Sequence, residues 1–215
     1  MTTPGTAQPS PMTTPGTAQP CHHAPMAADR EHVRFTSREQ LRAWLAANAD
    51  TSAAIFAVIP RPSSSAPGPT YEELVEECLC FGWIDATTRR YDDGTNAQMI
   101  APRRPGSTWS GLNKSRVERL TAEGLMAPRG LRVVAAAQAN GSWTLLDSVE
   151  RGEVPDDLLA ALDAVPPARE FFDAMPPGAR RQYVWYVISA KRPDTRARRI
   201  AEIATAAAQG RRALG

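Results

Sequence analysis

The fold is decided by the stretch FGWIDATTRRYDDGTNAQMIAPRRPGSTWSGLN, which runs from Phe81 to Asn113. A β-prone run at residues 83–91 leads into Asp93-Gly94, a strong signal for a hairpin turn. Residues 95–102 would form the return strand. The stretch therefore predicts a β-hairpin.

The turn also predicts the register of that hairpin. If Asp93-Gly94 are its two turn residues, Trp83 faces Arg104 and Asp85 faces Pro102. Because alternate residues of a strand project to the same side, Trp83, Asp85 and Arg104 would share one face.

A helix is predicted on each side of the hairpin. Upstream, Thr70 and Glu73 form a capping box, residues 71–79 carry one apolar face, and Gly82 is expected to end the helix in a left-handed conformation. Downstream, a serine at position 107 or 110 can cap a helix of roughly residues 110–123.

The upstream helix carries four glutamates, Glu72, Glu73, Glu76 and Glu77. Clustered carboxylates can be catalytic groups or metal ligands. Acids near a helix N-terminus are also favoured by the helix dipole, and we interpret these four as a solvated face.

Before residue 70 the chain predicts four features. Val33 and Phe35 indicate a strand or a lead-in, and Ser37 with Gln40 starts a helix over Arg38–Asn48. Residues 54–59 are an apolar run of strand type. The proline-rich segment 60–69 can be neither helix nor central strand, so we expect an exposed loop.

The rest of the chain has helical patterns. A helix is expected at residues 127–140, and four more after Pro155 at 156–164, 168–175, 178–191 and 194–209. We therefore predict an α+β fold that is mostly helical, with a small antiparallel sheet including an 83–104 hairpin.

Three regions are expected. Residues 1–30 contain a tandem duplication, MTTPGTAQP at Met1–Pro9 and again at Met12–Pro20, and lack apolar periodicity. Such a Pro/Thr-rich segment cannot bury enough surface to order itself, so we predict a disordered tail. Residues 31–146 would form the α+β domain, with a helical C-terminal subdomain at 147–215 packed on it.

Composition excludes several classes of function. The 215 residues are 42% apolar and 22% charged, as in soluble globular proteins, and the net charge of +2 does not indicate a nucleic-acid or membrane partner. No apolar run reaches membrane-spanning length, and no secretory signal is present, so we expect a cytoplasmic protein. Three cysteines give no even disulfide framework, and we expect them reduced.

Common catalytic and cofactor motifs are also missing. Neither phosphate-cradling glycine loop occurs, and His32 is the only histidine beyond the predicted tail. Serine–histidine catalysis or a histidine-based metal site would depend on that single residue. We therefore expect no metal site, no cofactor and no assigned catalytic residue.

The hairpin region holds the candidate site. Tryptophan walls and an arginine fork could hold a carboxylate, phosphate or other anion, and the next helix start could add donors. Alternatively, the tryptophans are core and an Asp–Arg pair only orients the strands. The candidate ligand-binding residues are Trp83, Asp85, Arg103, Arg104, Trp109, Ser110 and Asn113.

Two other functions stay open. Asp85 beside an arginine could act as the general acid or base of an enzyme. A basic C-terminal helix, with Lys191, Arg196 and Arg199 as candidate anion- or partner-binding residues, could serve a nucleic-acid or acidic-partner adaptor. A solvated helix face docked by its apolar side explains this helix better, so nucleic acid is not the expected partner.

The order of motifs is similar to a known family. The segments TYEELVEECLCFGWID, PRRPGSTWSGLNKSRVERL, GLM and AKRPDTRARRI resemble the YdeI/OmpD-associated (OmdA) family, also described as bacteriocin-protection proteins, over about residues 33–210. The resemblance implies a bacterial role in stress or antimicrobial-peptide resistance and assigns no reaction. We therefore expect a non-enzymatic protective protein that binds a small anionic ligand or peptide acid at the hairpin.

Overall fold

The computed structural model describes residues 30–214. The N-terminal half of this part of the chain contains one mixed sheet of four strands. Its spatial order is β1-β2-β4-β3, with β1 parallel to β2 and the other two pairings antiparallel. The strands are β1 (His32–Arg34), β2 (Ile55–Pro60), β3 (Trp83–Arg90) and β4 (Thr95–Pro102).

The sheet is mixed because of the helix that follows β1. Helix α1 (Arg38–Asn48) carries the chain back across the sheet, so β2 enters in the same direction as β1. The predicted α+β class is confirmed, and the small sheet that was predicted as antiparallel contains one parallel pairing, between β1 and β2. The predicted tail lies outside the described residues, apart from Arg30.

Eight more helices complete the described chain. Most lie within a few residues of the predicted positions, but the short α5 falls where no helix was expected. They are α2 (Tyr71–Cys80), α3 (Gly111–Ala122), α4 (Pro128–Ala139), α5 (Asp147–Glu150), α6 (Asp156–Asp163), α7 (Ala168–Asp173), α8 (Pro177–Ile188) and α9 (Pro193–Ala208).

The predicted helix ends around the hairpin are confirmed. Thr70 and Glu73 form a reciprocal capping box at α2, and Ser110 accepts a hydrogen bond from the Asn113 N–H at α3. Gly82 follows α2 with a φ of +67°, the left-handed conformation that glycine adopts without steric cost.

The main hydrophobic core lies between the sheet and helices α1–α4. Alternate residues of β2 and β4 point towards these helices, as the period of two in a strand requires. Leucines of α1 and α2 and the Trp83 side chain fill the space between them. A smaller cluster of Phe56, Val58 and Ala97 lies on the opposite face of the sheet.

Helices α6–α9 bury a second hydrophobic cluster, which contains Leu158, Phe172, Tyr183 and Ile203. This separate cluster supports our proposal that residues from 147 onward form a subdomain. Both oxygens of the Glu150 carboxylate accept a hydrogen bond from the Gly111 N–H, which links α5 to the start of α3.

The predicted hairpin register is wrong. Trp83 pairs with Pro102 and Asp85 with Ile100, and the register shifts by one residue between Asp85 and Thr88. The connection is longer than two residues, since β3 ends at Arg90 and β4 begins at Thr95. Within it, the Asp92 carboxylate accepts hydrogen bonds from the N–H groups of Gly94 and Thr95.

The prediction of a solvated glutamate face is wrong for two of the four residues. Glu76 and Glu77 are buried, and Glu77 is only 1% exposed. Helix α2 lies between α1 and α3, so its polar side meets arginines of both neighbours. Arg38 pairs with both glutamates, and Arg42 and Arg119 with one each.

Candidate functional site

Trp83 is a core residue. Its side chain is fully buried, its indole N–H donates to the Ala49 carbonyl at 3.2 Å, and its ring packs edge-on against Trp44. It therefore supplies no wall to an open pocket.

Asp85 pairs with a tyrosine instead of an arginine. The Tyr71 hydroxyl, from the first turn of α2, donates to Asp85 Oδ2 at 2.6 Å. The observed register places Ile100, and not Pro102, opposite Asp85. Arg104 lies beyond the end of β4 and is exposed. The predicted Asp85–Arg104 face is therefore not formed.

Arg103 and Trp109 are brought together. The Arg103 backbone N–H donates to the Gly82 carbonyl, which fixes the chain just after β4. Its guanidinium lies 3.7 Å from the centroid of the Trp109 ring, and Nη1 donates to the Thr108 carbonyl at 2.7 Å. Arg103 is 6% exposed and Trp109 1%.

This arginine has no ionic partner among the described residues. Its Nε and Nη2, and the Trp109 Nε1, are buried with no hydrogen-bond partner there. Burial lowers the pKa of Arg103 to about 10, and the nearby negative charge of Asp85 opposes that shift. The group is still a cation at neutral pH, and a buried unpaired charge is costly even with a stacked aromatic ring.

A small cleft opens beside these two side chains. Residues 103–109 form one wall, and the face of α4 that carries Val133, Ala136 and Ala137 forms the other. The cleft has a volume of about 70 Å³. With about 30 Å³ per water molecule in the liquid, this is enough space for one carboxylate-sized group. We call it the Arg103 cleft.

Ser110 and Asn113 have structural roles outside this cleft. The Ser110 hydroxyl caps α3, and the Asn113 carboxamide accepts a hydrogen bond from Arg116 at 3.0 Å. Arg116 in turn holds the Glu72 carboxylate of α2. These residues join α2 to α3.

The basic C-terminal helix uses its predicted binding residues internally. Arg196 holds both carboxylate oxygens of Asp157 in α6, at 2.7 and 2.8 Å. Arg199 donates to the Tyr186 carbonyl and the Ser189 hydroxyl at the end of α8. Lys191 is exposed. The two arginines therefore hold α9 to its neighbours, which does not favour an adaptor that binds through them.

The structure also contains a cavity that sequence reasoning missed. It has a volume of about 610 Å³ and lies between the proline-rich loop 60–69 and the hairpin end of the sheet. The sequence indicated an exposed loop there, and the only chemical signal was the single arginine, Arg61, among prolines and serines. We call this space the loop cavity.

Neither a metal centre nor a membrane helix is found between residues 30 and 214. In that part of the chain, no group of three or more His, Cys, Asp or Glu side chains is placed to hold a metal ion. The helices described there also lack the length and hydrophobicity needed to cross a membrane.

Comparison with known families divides the chain. Residues 33–133 match a domain of unknown function (DUF8412), and residues 152–210 match the OmdA family, described as Bacteriocin-protection, YdeI or OmpD-Associated. Searches of curated proteins and of solved structures gave no significant match.

The predicted resemblance is confirmed in the C-terminal region, where the AKRPDTRARRI segment lies. The FGWID and PRR motifs, by contrast, fall within the match to the domain of unknown function. The two matches follow one another along the chain, the DUF8412 model at residues 33–133 and the OmdA model at residues 152–210.

Proposed function

We propose that this protein contributes to bacterial protection against antimicrobial peptides and binds the carboxylate of a small anionic ligand or peptide acid in the Arg103 cleft. The family described for residues 152–210 supports the protective role. The observation that carries the binding role is the buried guanidinium of Arg103, which has an unpaired edge.

The unpaired atoms of Arg103 have the geometry of a carboxylate fork. Nε and Nη2 lie on the same edge of a guanidinium and donate in parallel to the two oxygens of a carboxylate. Arg196 uses this same pair of atoms to hold Asp157, at 2.7 and 2.8 Å. Arg103 presents the equivalent edge unoccupied by any described residue, with Nη1 already committed to Thr108.

The size of the Arg103 cleft limits the ligand. Its volume of about 70 Å³ accepts a carboxylate head but no large side chain. The small alanines of α4, Ala136 and Ala137, line the same cleft and would face the last residue of a peptide. A peptide with a free C-terminal carboxylate and a small terminal residue fits these limits.

The binding test compares an acetylated tripeptide ending in alanine with the same peptide as its C-terminal amide, by calorimetry and by amide chemical shifts. A charge-assisted fork contributes about 1.5–3 kcal/mol, so the acid should bind at least about tenfold more tightly. Shifts should appear at residues 104–109. Equal binding of acid and amide, or shifts elsewhere only, would contradict the proposal.

Two variants and a cellular assay complete the test. Arg103→Lys keeps a positive charge but loses the fork and the flat stack on Trp109, so the preference for the acid should disappear. Arg132→Gln changes an exposed arginine of α4 that does not line the cleft, and it should keep the preference for the acid. Bacteria that express Arg103→Lys should lose protection against an antimicrobial peptide, while Arg132→Gln should protect like the unchanged chain.

A further inference from the structure

We infer that the protein has a second ligand site, in the loop cavity, for a small organic acid with an apolar body. The cavity has a volume of about 610 Å³, within the range of roughly 300–1,000 Å³ that is usual for small-molecule sites. The loop and the first turn of α2 form one wall, and residues Thr88, Asn96 and Gln98 of the hairpin form the other.

The loop wall is held in place at both ends. The Arg61 N–H donates to the Gly94 carbonyl at 3.0 Å, which ties the loop to the hairpin. At the other end Gly68 packs so closely that an added Cβ would lie 2.8 Å from the Phe35 carbonyl oxygen. Backbone contacts therefore fix both ends of the loop wall.

The sheet side of the cavity is polar but largely satisfied. Gln98 is 1% exposed, and its carboxamide accepts from the Thr88 hydroxyl and donates to the Ala86 carbonyl. The Asn96 carboxamide lines the same wall and makes no side-chain hydrogen bond to another described residue. Asn96 is therefore a neutral group on this wall that is available to a ligand.

Charge determines the kind of ligand. Arg61 is the one charged residue among the described residues that line the loop cavity, and its Nε is enclosed without a hydrogen-bond partner there. An arginine that lines a cavity with no lining carboxylate favours an anionic group on the ligand. The head of the ligand would lie at Arg61.

The remaining surface determines the ligand's body. Apolar side chains line most of the loop wall, and the Tyr71 ring, half-exposed, stands at the edge. Proline rings and an aromatic ring pack well against a flat apolar group. The apolar wall is formed by Ile59, Pro60, Pro62, Ala66 and Pro69. We therefore assign the site to a small monocarboxylic acid with an aromatic body.

This site is independent of the Arg103 cleft, because the two share no lining residue. The test titrates phenylacetate and its neutral counterpart phenylacetamide into the full chain, by calorimetry and by amide chemical shifts. Phenylacetate should shift Ser64, Thr88 and Asn96 and bind at least about tenfold more tightly than the amide, because only the acid can pair with a guanidinium.

Variants separate the two sites. Arg61→Gln should lower the affinity for phenylacetate at least about tenfold, and Arg103→Lys should leave it unchanged. Ala66→Trp fills the cavity without changing its charge and should block the binding of phenylacetate. This variant tests the site independently of any loss of loop stability in Arg61→Gln. Equal affinity for acid and amide, shifts confined to residues 103–109, or full binding by Ala66→Trp would overturn the inference.

Discussion

The Tyr71 hydroxyl donates a 2.6 Å hydrogen bond to the Asp85 carboxylate. The bond joins the first turn of α2 to the start of β3 across the edge of the loop cavity. Burial is the largest cause that raises the pKa of Tyr71 from 10.0 to about 12, and the hydrogen bond and negative charge of Asp85 act in the same direction. The phenol therefore keeps its proton well into the alkaline range.

This relationship predicts a loss of stability at high pH. Because the folded pKa of Tyr71 lies above its unfolded value, its contribution is fully present below pH 10.0 and is lost between pH 10.0 and about 12. Tyr71→Phe should flatten the fall in the free energy of unfolding over that window. It should also cost about 1 kcal/mol at neutral pH through the lost hydrogen bond.

Urea unfolding at a series of pH values measures this effect. Asp85→Asn is the matched control, because it keeps an acceptor for the phenol and removes only the charge. The alkaline fall in its free energy of unfolding should be smaller than that of the unchanged chain and larger than that of Tyr71→Phe. If Tyr71→Phe shows the same alkaline fall as the unchanged chain, the Tyr71–Asp85 bond is not its source.

A second prediction concerns the buried carboxylate of Glu77. Arg38 and Arg42 bind its two oxygens at 2.7 and 2.8 Å, and Arg42 also donates to the Leu125 carbonyl. Glu77→Gln would leave Arg42 without its counter-charge and Arg38 with Glu76 as its one remaining carboxylate partner among the described residues. We expect a loss of about 3 kcal/mol, the lower end of the range for a broken buried pair, because both arginines are partly exposed.

Chemical denaturation measures that loss as a lower midpoint. Glu118→Gln, an exposed residue of α3, is the control and should change stability by less than about 0.5 kcal/mol. The loss at Glu77 should also persist at high salt, since a buried pair is screened much less than a surface pair. A Glu77→Gln variant as stable as the control would show that the arginines find other partners.

Local signals in the sequence were sufficient for most helices. The Ser37 and Thr70 caps and the Gly82 stop act through neighbouring residues, so they can be read without tertiary information. These signals predicted the positions of α1 and α2, and the structure has both helices there. Arg103 could be proposed for the site because an arginine beside tryptophans is an unusual local combination.

The failures concern information that is not local. Glu76 and Glu77 lie on the polar side of α2, but only the packing of α1 and α3 against that side shows that they are buried. The register shift after Asp85 depends on pairing with β4, and a turn motif does not encode it. Arg61 was missed because the loop around it has no periodicity to place it.

A third prediction follows from the bidentate pair between Arg196 of α9 and Asp157 of α6. Both side chains keep substantial exposure, so Arg196→Gln should cost only about 0.5–1 kcal/mol. The hydrogen bond with Arg196 is the main cause that lowers the pKa of Asp157. The stability that the Arg196–Asp157 pair contributes is therefore present at pH values above the usual pKa of an aspartate. It is lost as the pH falls from there through the lowered pKa of Asp157.

The measurement is the difference in the free energy of unfolding between the unchanged chain and Arg196→Gln, taken at pH values from neutral to acidic. It should shrink on acidification. Arg198→Gln is the matched control on the same helix, since Arg198 lies 3.8 Å from Glu202 and is mostly exposed. A difference that does not depend on pH would mean that Arg196 acts through packing of its aliphatic chain and not through Asp157.

The last prediction concerns the close approach of α4 to the end of α2. Gly130 lies against the backbone of the last turn of α2, where an added Cβ would fall 2.8 Å from the Cys80 carbonyl carbon and still closer to its oxygen. Backbone atoms cannot move aside as a side chain can. Gly130→Ala should therefore cost about 3 kcal/mol, despite the gain of about 1 kcal/mol that alanine brings to a helix.

Gly178 provides the matched control, because it lies in the first turn of α8 with no atom within 4 Å of an added Cβ. Gly178→Ala should raise stability by about 0.4–1 kcal/mol through the lower entropy of the unfolded chain. Thermal and urea midpoints of the two variants should therefore move in opposite directions. A stabilised Gly130→Ala would mean that α4 can shift away from α2, and with it the wall of the Arg103 cleft.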